Sequence, residues 1–148
     1  SATIRHNTLT GEGDCLILTG GGDAASRVLI QDNVLVGQYD TRANRQGNPG
    51  EWSCGHYADE SPARVEFAGN VFWRLKGFPC PSGNACLRDP RLTDMGLANF
   101  DARPLPGSPV IDRATRGDPG DRDFFGHPRV SGAAADVGAV EFQVPARR

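Results

Sequence analysis

The feature that most constrains the fold is a nine-residue pattern that occurs three times. The segments align without gaps and read ATIRHNTLT (2–10), VLIQDNVLV (28–36) and VEFAGNVFW (65–73). Apolar residues occupy alternate positions of each segment, which is the period of a β-strand with one buried face. An asparagine, Asn7, Asn33 or Asn70, stands in each segment where this alternation changes phase. We therefore predict two short strands per segment, joined by a sharp bend.

The asparagines are expected to be structural residues that stack in one row. Asparagine tolerates left-handed backbone angles and hydrogen-bonds to nearby backbone groups, so it suits a bend. Stacked Asn side chains can also bond to one another. The interval from Asn7 to Asn33 is 26 residues and that from Asn33 to Asn70 is 37 residues. These lengths fit one coil of a parallel solenoid and a second coil with an inserted loop.

The rest of the chain is organised around these coils as one domain. Of the 148 residues, 19 are Gly and 11 are Pro, which argues against long helices. We predict coils at 1–36 and 64–75, a long loop at 37–63 and a cysteine-containing loop at 77–88. Residues 89–148 are then a covering tail that ends in a closing strand.

The outward positions of the predicted strands differ in polarity on the two sides of the bend. After the asparagines they hold an apolar set, which is Val34, Val36, Val71 and Trp73. Because such a patch is rarely left in water, we predict that residues 89–112 cover it. Before the asparagines the outward positions are polar and rich in arginine.

The repeats, taken with the C-terminal third, resemble the right-handed parallel β-helix repeats of the pectate-lyase-like superfamily. The C-terminal segments that carry the resemblance are SPVID (108–112), DFFGHPR (123–129) and ADVGAVEF (135–142), which look like the ending of many secreted bacterial β-helix proteins. The resemblance implies an all-β fold, a right-handed parallel β-helix (β-solenoid) with a Pro-rich C-terminal tail packed along it. It also implies a secreted protein, extracellular or periplasmic. It specifies the fold better than the activity.

The function implied by the resemblance is association with carbohydrate. We expect a β-helix module that is the C-terminal part of a secreted polysaccharide lyase or glycoside hydrolase; the alternative is a non-catalytic structural or adhesion module. Arginine matches carboxylates well, so the polar face suits a polysaccharide or acidic glycan. The candidate ligand-binding residues are Arg5, Arg27, Gln31, Arg64 and Glu66 on the face, with Asp40 and Asp59 in the adjoining loop. The alternative is a solvated face with ordinary ion pairs.

If the chain is an enzyme, a lyase is favoured over a hydrolase, and no catalytic residue is assigned. Lyases of the superfamily commonly use Ca²⁺ held by Asp residues, so Ca²⁺ is the cofactor expected in that case. Residues 11–16 (GEGDCL) resemble the Asp-Asp-Cys segment of polygalacturonase-type hydrolases, but Gly13 replaces one of the two carboxylates. Glycoside hydrolysis normally needs both carboxylates.

The four cysteines indicate disulfide bonds rather than a metal site. Cys80 and Cys86 enclose a turn-forming PSGNA segment, so we predict a bond between them. Cys15 and Cys54 either form a second bond or leave Cys15 as a small buried apolar residue. A zinc site is disfavoured because no C-x₂-C pair occurs. Disulfides imply an oxidising compartment.

Charge and hydropathy exclude two classes of partner. The 18 acidic and 16 basic residues give a net charge of −2, which argues against nucleic-acid binding through bulk charge. No apolar run approaches the length of a membrane span. The first predicted strand, 2–5, leaves an unpaired edge, so we expect upstream coils of the same parent chain or a strand-addition partner there.

Overall fold

Short strands form most of the regular structure in the computed structural model, which describes residues 1–11, 16–40, 51–52, 56–58, 63–75, 80–86, 88–115 and 117–144. The strands are β1 Ala2–Arg5, β2 Thr8–Gly11, β3 Ile17–Thr19, β4 Arg27–Gln31, β5 Val34–Gly37, β6 Tyr39–Asp40, β7 Glu51–Trp52, β8 His56–Ala58, β9 Arg64–Ala68, β10 Val71–Trp73, β11 Ala85–Cys86, β12 Leu92–Asp94 and β13 Asp101–Pro104. A 3₁₀ helix spans Leu97–Asn99, and these ranges contain no α-helix. The described chain is therefore all-β, as the sequence predicts.

Three parallel sheets collect strands from successive repeats. The first sheet has the order β1-β4-β9, the second β2-β5-β10-β11 and the third β3-β8. The chain passes from the first sheet through the second to the third along β1, β2 and β3. It follows the same order along β4, β5 and β8. The register agrees with the gap-free sequence alignment, since Ile4 pairs with Ile30, and Ile30 with Phe67.

Two segments differ from their predicted structure. Residues 37–63, predicted as one long loop, contain β6, β7 and β8, and β8 pairs in parallel with β3. Strands of two or three residues are too short to show a hydrophobic period, which is why the sequence pattern missed them. The predicted closing strand at 135–142 is irregular instead, although most of it is buried. Buried side chains and single backbone contacts satisfy its backbone groups in place of a neighbouring strand.

The sharp bend between the first and second sheets is made by the residue before each asparagine. The φ angles of His6, Asp32 and Gly69 are 52°, 53° and 66°, all in the left-handed region. The expectation that asparagine itself takes these angles is therefore wrong. At Gly69 a Cβ atom would lie 2.3 Å from Asp32 Oδ1, so glycine is required there by space as well as by φ.

The asparagine side chains form a continuous row of hydrogen bonds. Asn7 Nδ2 donates to Asn33 Oδ1 at 3.1 Å, and Asn33 Nδ2 donates to Asn70 Oδ1 at 2.9 Å. A fourth member, Asn84, accepts from Asn70 Nδ2 at 2.7 Å. Each of these acceptor oxygens also binds the backbone N–H of the preceding asparagine at 2.9–3.0 Å. The row thus satisfies backbone groups that would otherwise lack partners at the bends.

Two apolar clusters lie on opposite sides of the second sheet. The inner cluster contains Ile17, Ile30, Leu35 and Phe72. The outer cluster joins Val34, Val36 and Val71 to three residues of the tail, Leu92, Val110 and Val137, with Trp73 packed against them. The tail therefore covers the apolar outward face. Strand β5 is apolar at three successive positions because both faces of its sheet are buried.

One disulfide stabilises the segment that leads to the last strand of the second sheet. Cys80 and Cys86 are bonded, with their Cα atoms 5.8 Å apart, which confirms the predicted bond. Cys15 and Cys54 lie outside the described residues. The bond closes the turn just before β11, where Asn84 joins the asparagine row.

Replacing Asn33 by leucine should strongly destabilise the fold. Asn33 is fully buried, and its loss removes a donor to the Ile4 carbonyl and an acceptor of the Asn7 backbone N–H. We expect the free energy of unfolding in urea to fall by about 3 kcal/mol. Asn7→Leu, at the partly exposed end of the row, is the control and should cost about 1 kcal/mol. Equal losses in the two variants would contradict the row.

Candidate functional site

The outward face of the first sheet carries the arginines of the candidate site. Side chains alternate along β4, so Arg27, Leu29 and Gln31 point away from the inner cluster. Arg27 pairs in register with Arg64 on β9, and both are exposed. Neighbouring strands lie about 4.8 Å apart, so the two arginines start from adjacent backbone positions at this end of the face.

Local contacts hold these two arginines in different ways. Arg64 Nε lies 2.8 Å from Glu66 Oε1 in an exposed ion pair. Arg27 Nη1 donates to the carbonyl oxygens of Ala24 at 3.0 Å and Ser26 at 3.1 Å. The exposed pair adds little stability, but Glu66 offsets one of the two positive charges. Arg27, Arg64 and Glu66 together therefore present one net positive charge.

The tail contacts the opposite end of the same face. Arg5 Nη2 lies 3.7 Å from Asp118 Oδ2, and Gln31 Nε2 donates to the hydroxyl of Thr115. The structure thus divides the predicted ligand-binding residues into two groups. Arg5 and Gln31 contact the tail, whereas Arg27, Arg64 and Glu66 remain open.

The described residues of this face do not form a calcium site. Calcium takes six to eight oxygen ligands, and β4 and β9 supply one carboxylate here, Glu66, which is paired with Arg64. Among the residues that the structure describes, no group of three His, Cys, Asp or Glu side chains could hold a metal ion. Asp59 and the side chain of Asp40 lie outside the described part of the chain.

Four charged residues of the closing motifs are buried and bond to backbone groups. The buried members are Asp123, Arg129, Asp136 and Glu141. Glu141 accepts backbone N–H groups from Ser131 and Asp136, both at 3.0 Å. Asp136 accepts those of Asp112 at 2.8 Å and Phe142 at 2.6 Å. These carboxylates replace strand pairing for the irregular segment 135–142.

The pKa values of these carboxyl groups reflect that structural role. Burial raises the pKa of Asp136 and that of Glu141, although backbone N–H donors oppose the shift. Burial acts in the same direction on Asp123, but N–H donors from Glu141, His127 and Phe125 outweigh it and the pKa is lowered. Perturbed pKa values often mark catalytic sites. Here the carboxylate oxygens are occupied by backbone donors, so they hold loops together.

Arg129 connects the closing segment to the first bend. Its Nη2 donates to the carbonyl oxygens of Asp136, at 3.2 Å, and Gly138, and it lies 2.7 Å from Nδ1 of His6. Arginine has only donors, so His6 Nδ1 must be the acceptor and the imidazole neutral. Burial and the charge of Arg129 both lower the pKa of His6. No local sequence pattern joins two residues so far apart in the chain, so sequence analysis missed this contact.

Comparison of the chain with protein-family models, curated proteins and solved structures gave no match. Over the described ranges, no helix has the length and apolar character needed to cross a membrane. The assignment of the candidate site therefore depends on the geometry of the first sheet and of the C-terminal tail.

Acidification should weaken the contact between His6 and Arg129, which attaches the closing segment to the first bend. The pKa of His6 in the folded chain lies below its ordinary value of 6.5, so the unfolded chain binds more protons in the interval between the two values. The stability that neutral His6 contributes is therefore complete above that ordinary value and is lost as the pH falls through the interval. We predict that the free energy of unfolding decreases as the pH falls below the ordinary histidine pKa of 6.5.

The matched variant for this measurement is His6→Asn. Asparagine tolerates left-handed angles and carries an acceptor oxygen near the position of Nδ1, but it does not titrate. The raised pKa values of Asp136 and Glu141 act with the opposite sign at lower pH, so the difference between the two proteins is the quantity to measure. An identical pH dependence in the variant would show that His6 has no such role.

Proposed function

We propose that this chain is a right-handed parallel β-helix module of an exported protein, and that it binds an acidic polysaccharide through the open end of the first sheet. Two passages through three parallel sheets in the same order support the β-helix. The asparagine row at successive bends and the resemblance of the closing motifs support it further. The disulfide between Cys80 and Cys86 is typical of proteins that mature in an oxidising compartment.

The observation that carries the binding function is the contrast between two outward faces. The apolar face of the second sheet lies beneath Leu92, Val110 and Val137 of the tail. The same tail reaches the first sheet only near Arg5 and Gln31 among the described contacts. A polar end with two arginines in register is therefore left open to ligand.

Acidic glycan fits the chemistry of this open end. Arg27 and Arg64 lie on adjacent strands and present planar groups with several N–H donors, which match carboxylates. Glu66 fixes Arg64 through its Nε. Within the described residues the remaining N–H groups of Arg64 have no other partner and can bind a uronate carboxylate, and Glu66 can accept a sugar hydroxyl.

The described residues favour binding over hydrolysis. A glycoside hydrolase needs a carboxylate on each side of the scissile bond. The open end offers Glu66, whereas Asp123, Asp136 and Glu141 are committed to backbone donors. The same use of buried carboxylates would also suit a purely structural or adhesion module, which is the second candidate.

Arg64→Gln should weaken binding of hexagalacturonate about tenfold, because it removes one charge-assisted contact. Arg88→Gln is the control, since Arg88 is exposed and lies outside the first sheet. Isothermal titration calorimetry at two salt concentrations measures both variants, and binding should weaken at high salt. Absence of hexagalacturonate binding by the unmodified chain would favour the structural module. An equal loss in both variants would exclude this face.

A further inference from the structure

The turn at 123–127 exposes two adjacent aromatic rings. Phe124 is 77% exposed and Phe125 is 52% exposed. Their rings meet edge to face, with centroids 5.3 Å apart and planes at 82°. Elsewhere the tail buries Val34, Val36 and Val71. Two large aromatic rings that lie side by side in water indicate a surface that contacts something else.

The backbone of this turn is fixed by a buried carboxylate. Asp123 Oδ1 accepts the N–H of Phe125 at 2.9 Å and that of His127 at 2.8 Å. The Asp123 carbonyl accepts the N–H of Gly126 at 3.0 Å. The backbone of Phe125 is therefore already ordered, so ligand binding costs little conformational entropy at this turn.

Phe125 forms part of an open cavity, whereas Phe124 does not line it. The cavity has a volume of about 800 Å³, within the range of small-molecule sites. Its other lining residues are Asn99, Phe100, Asp101, Arg103 and His127. The cavity thus combines aromatic rings with planar polar side chains.

Asp101 and Arg103, which line this cavity, neutralise each other's charge. Arg103 Nε donates to Asp101 Oδ1 at 2.9 Å and to Oδ2 at 3.0 Å, and Nη2 also donates to Oδ2. The side-chain hydrogen bond from Arg103 lowers the pKa of Asp101, so its carboxylate stays ionised. Arg103 Nη1 makes no hydrogen bond within the described part of the chain. Its N–H groups are therefore available to a ligand, and the pair has no net charge.

We propose that this cavity binds an uncharged sugar ring of a polysaccharide. A pyranose has a face of C–H groups, which are attracted to the negative face of an aromatic ring such as that of Phe125. Its hydroxyl groups both donate and accept, which suits the carboxylate of Asp101 and the N–H groups of Arg103. The neutral pair favours a neutral sugar here over the uronate proposed for the first sheet. The two sites lie on different elements, so one can fail without the other.

Titration calorimetry with cellohexaose, mannohexaose and xylohexaose tests this site. We expect at least one of these neutral oligosaccharides to bind, and Phe125→Ala to weaken that binding about tenfold. Phe125→Trp should retain it. Phe124→Ala is the matched control, because it removes an equally large exposed ring outside the cavity, and it should leave affinity unchanged within about twofold.

Two further variants separate this site from the first sheet and from misfolding. Arg103→Gln, outside the turn, should weaken neutral binding, while Arg64→Gln should affect hexagalacturonate alone. Both phenylalanine variants should unfold at the temperature of the unmodified chain, since both rings are exposed. The site is refuted if no neutral oligosaccharide binds at millimolar concentration. It is also refuted if Phe124→Ala and Phe125→Ala lose affinity equally, which would instead indicate an apolar protein-docking patch.

Discussion

The row of hydrogen-bonded asparagines is the interaction on which the parallel sheets depend. At every bend the chain leaves one sheet for the next, so backbone groups lose their strand partners. Asn33 and Asn70 are fully buried there, and each binds backbone as well as its neighbours in the row. This arrangement fixes the register of successive strands. As a result, equivalent outward side chains lie side by side, apolar on the second sheet and charged on the first.

The position of the tail is a consequence of that arrangement, and it determines which surfaces of the sheets remain accessible. Val34, Val36 and Val71 form an apolar outward face that has to be covered, and the tail covers it. Its irregular closing segment lacks strand partners, so buried carboxylates and Arg129 supply many of its hydrogen bonds, alongside isolated backbone contacts such as that of the Val137 N–H with the Val110 carbonyl. Buried charges of this kind are therefore architectural in this molecule. The two surfaces proposed for binding differ in origin: the tail leaves the arginine end of the first sheet exposed, whereas the tail itself forms the cavity beside Phe125.

The features that repeat along the chain could be predicted from its sequence. The alignment gave the pairing of Ile4, Ile30 and Phe67, because a gap-free repeat in a parallel sheet preserves register. The alignment did not identify Asn84 as a member of the row. Only 14 residues separate Asn84 from Asn70, and no complete repeat precedes Asn84. The alignment also did not predict that the tail contacts one end of the candidate face and leaves the other end open. Contacts such as that of Arg5 with Asp118 join distant segments, so the local hydrophobic pattern of the sequence cannot predict them.

Hydrogen exchange of the asparagine side-chain amides, measured by nuclear magnetic resonance, tests the central role of the row most directly. The carboxamides of Asn33 and Asn70 are buried and donate to partners on both sides. They should exchange only through global unfolding, as slowly as the backbone amides of β5. Exposed Asn99 provides the reference for an unprotected carboxamide. If Asn33 and Asn70 exchange as fast as Asn99, the row does not hold the sheets together.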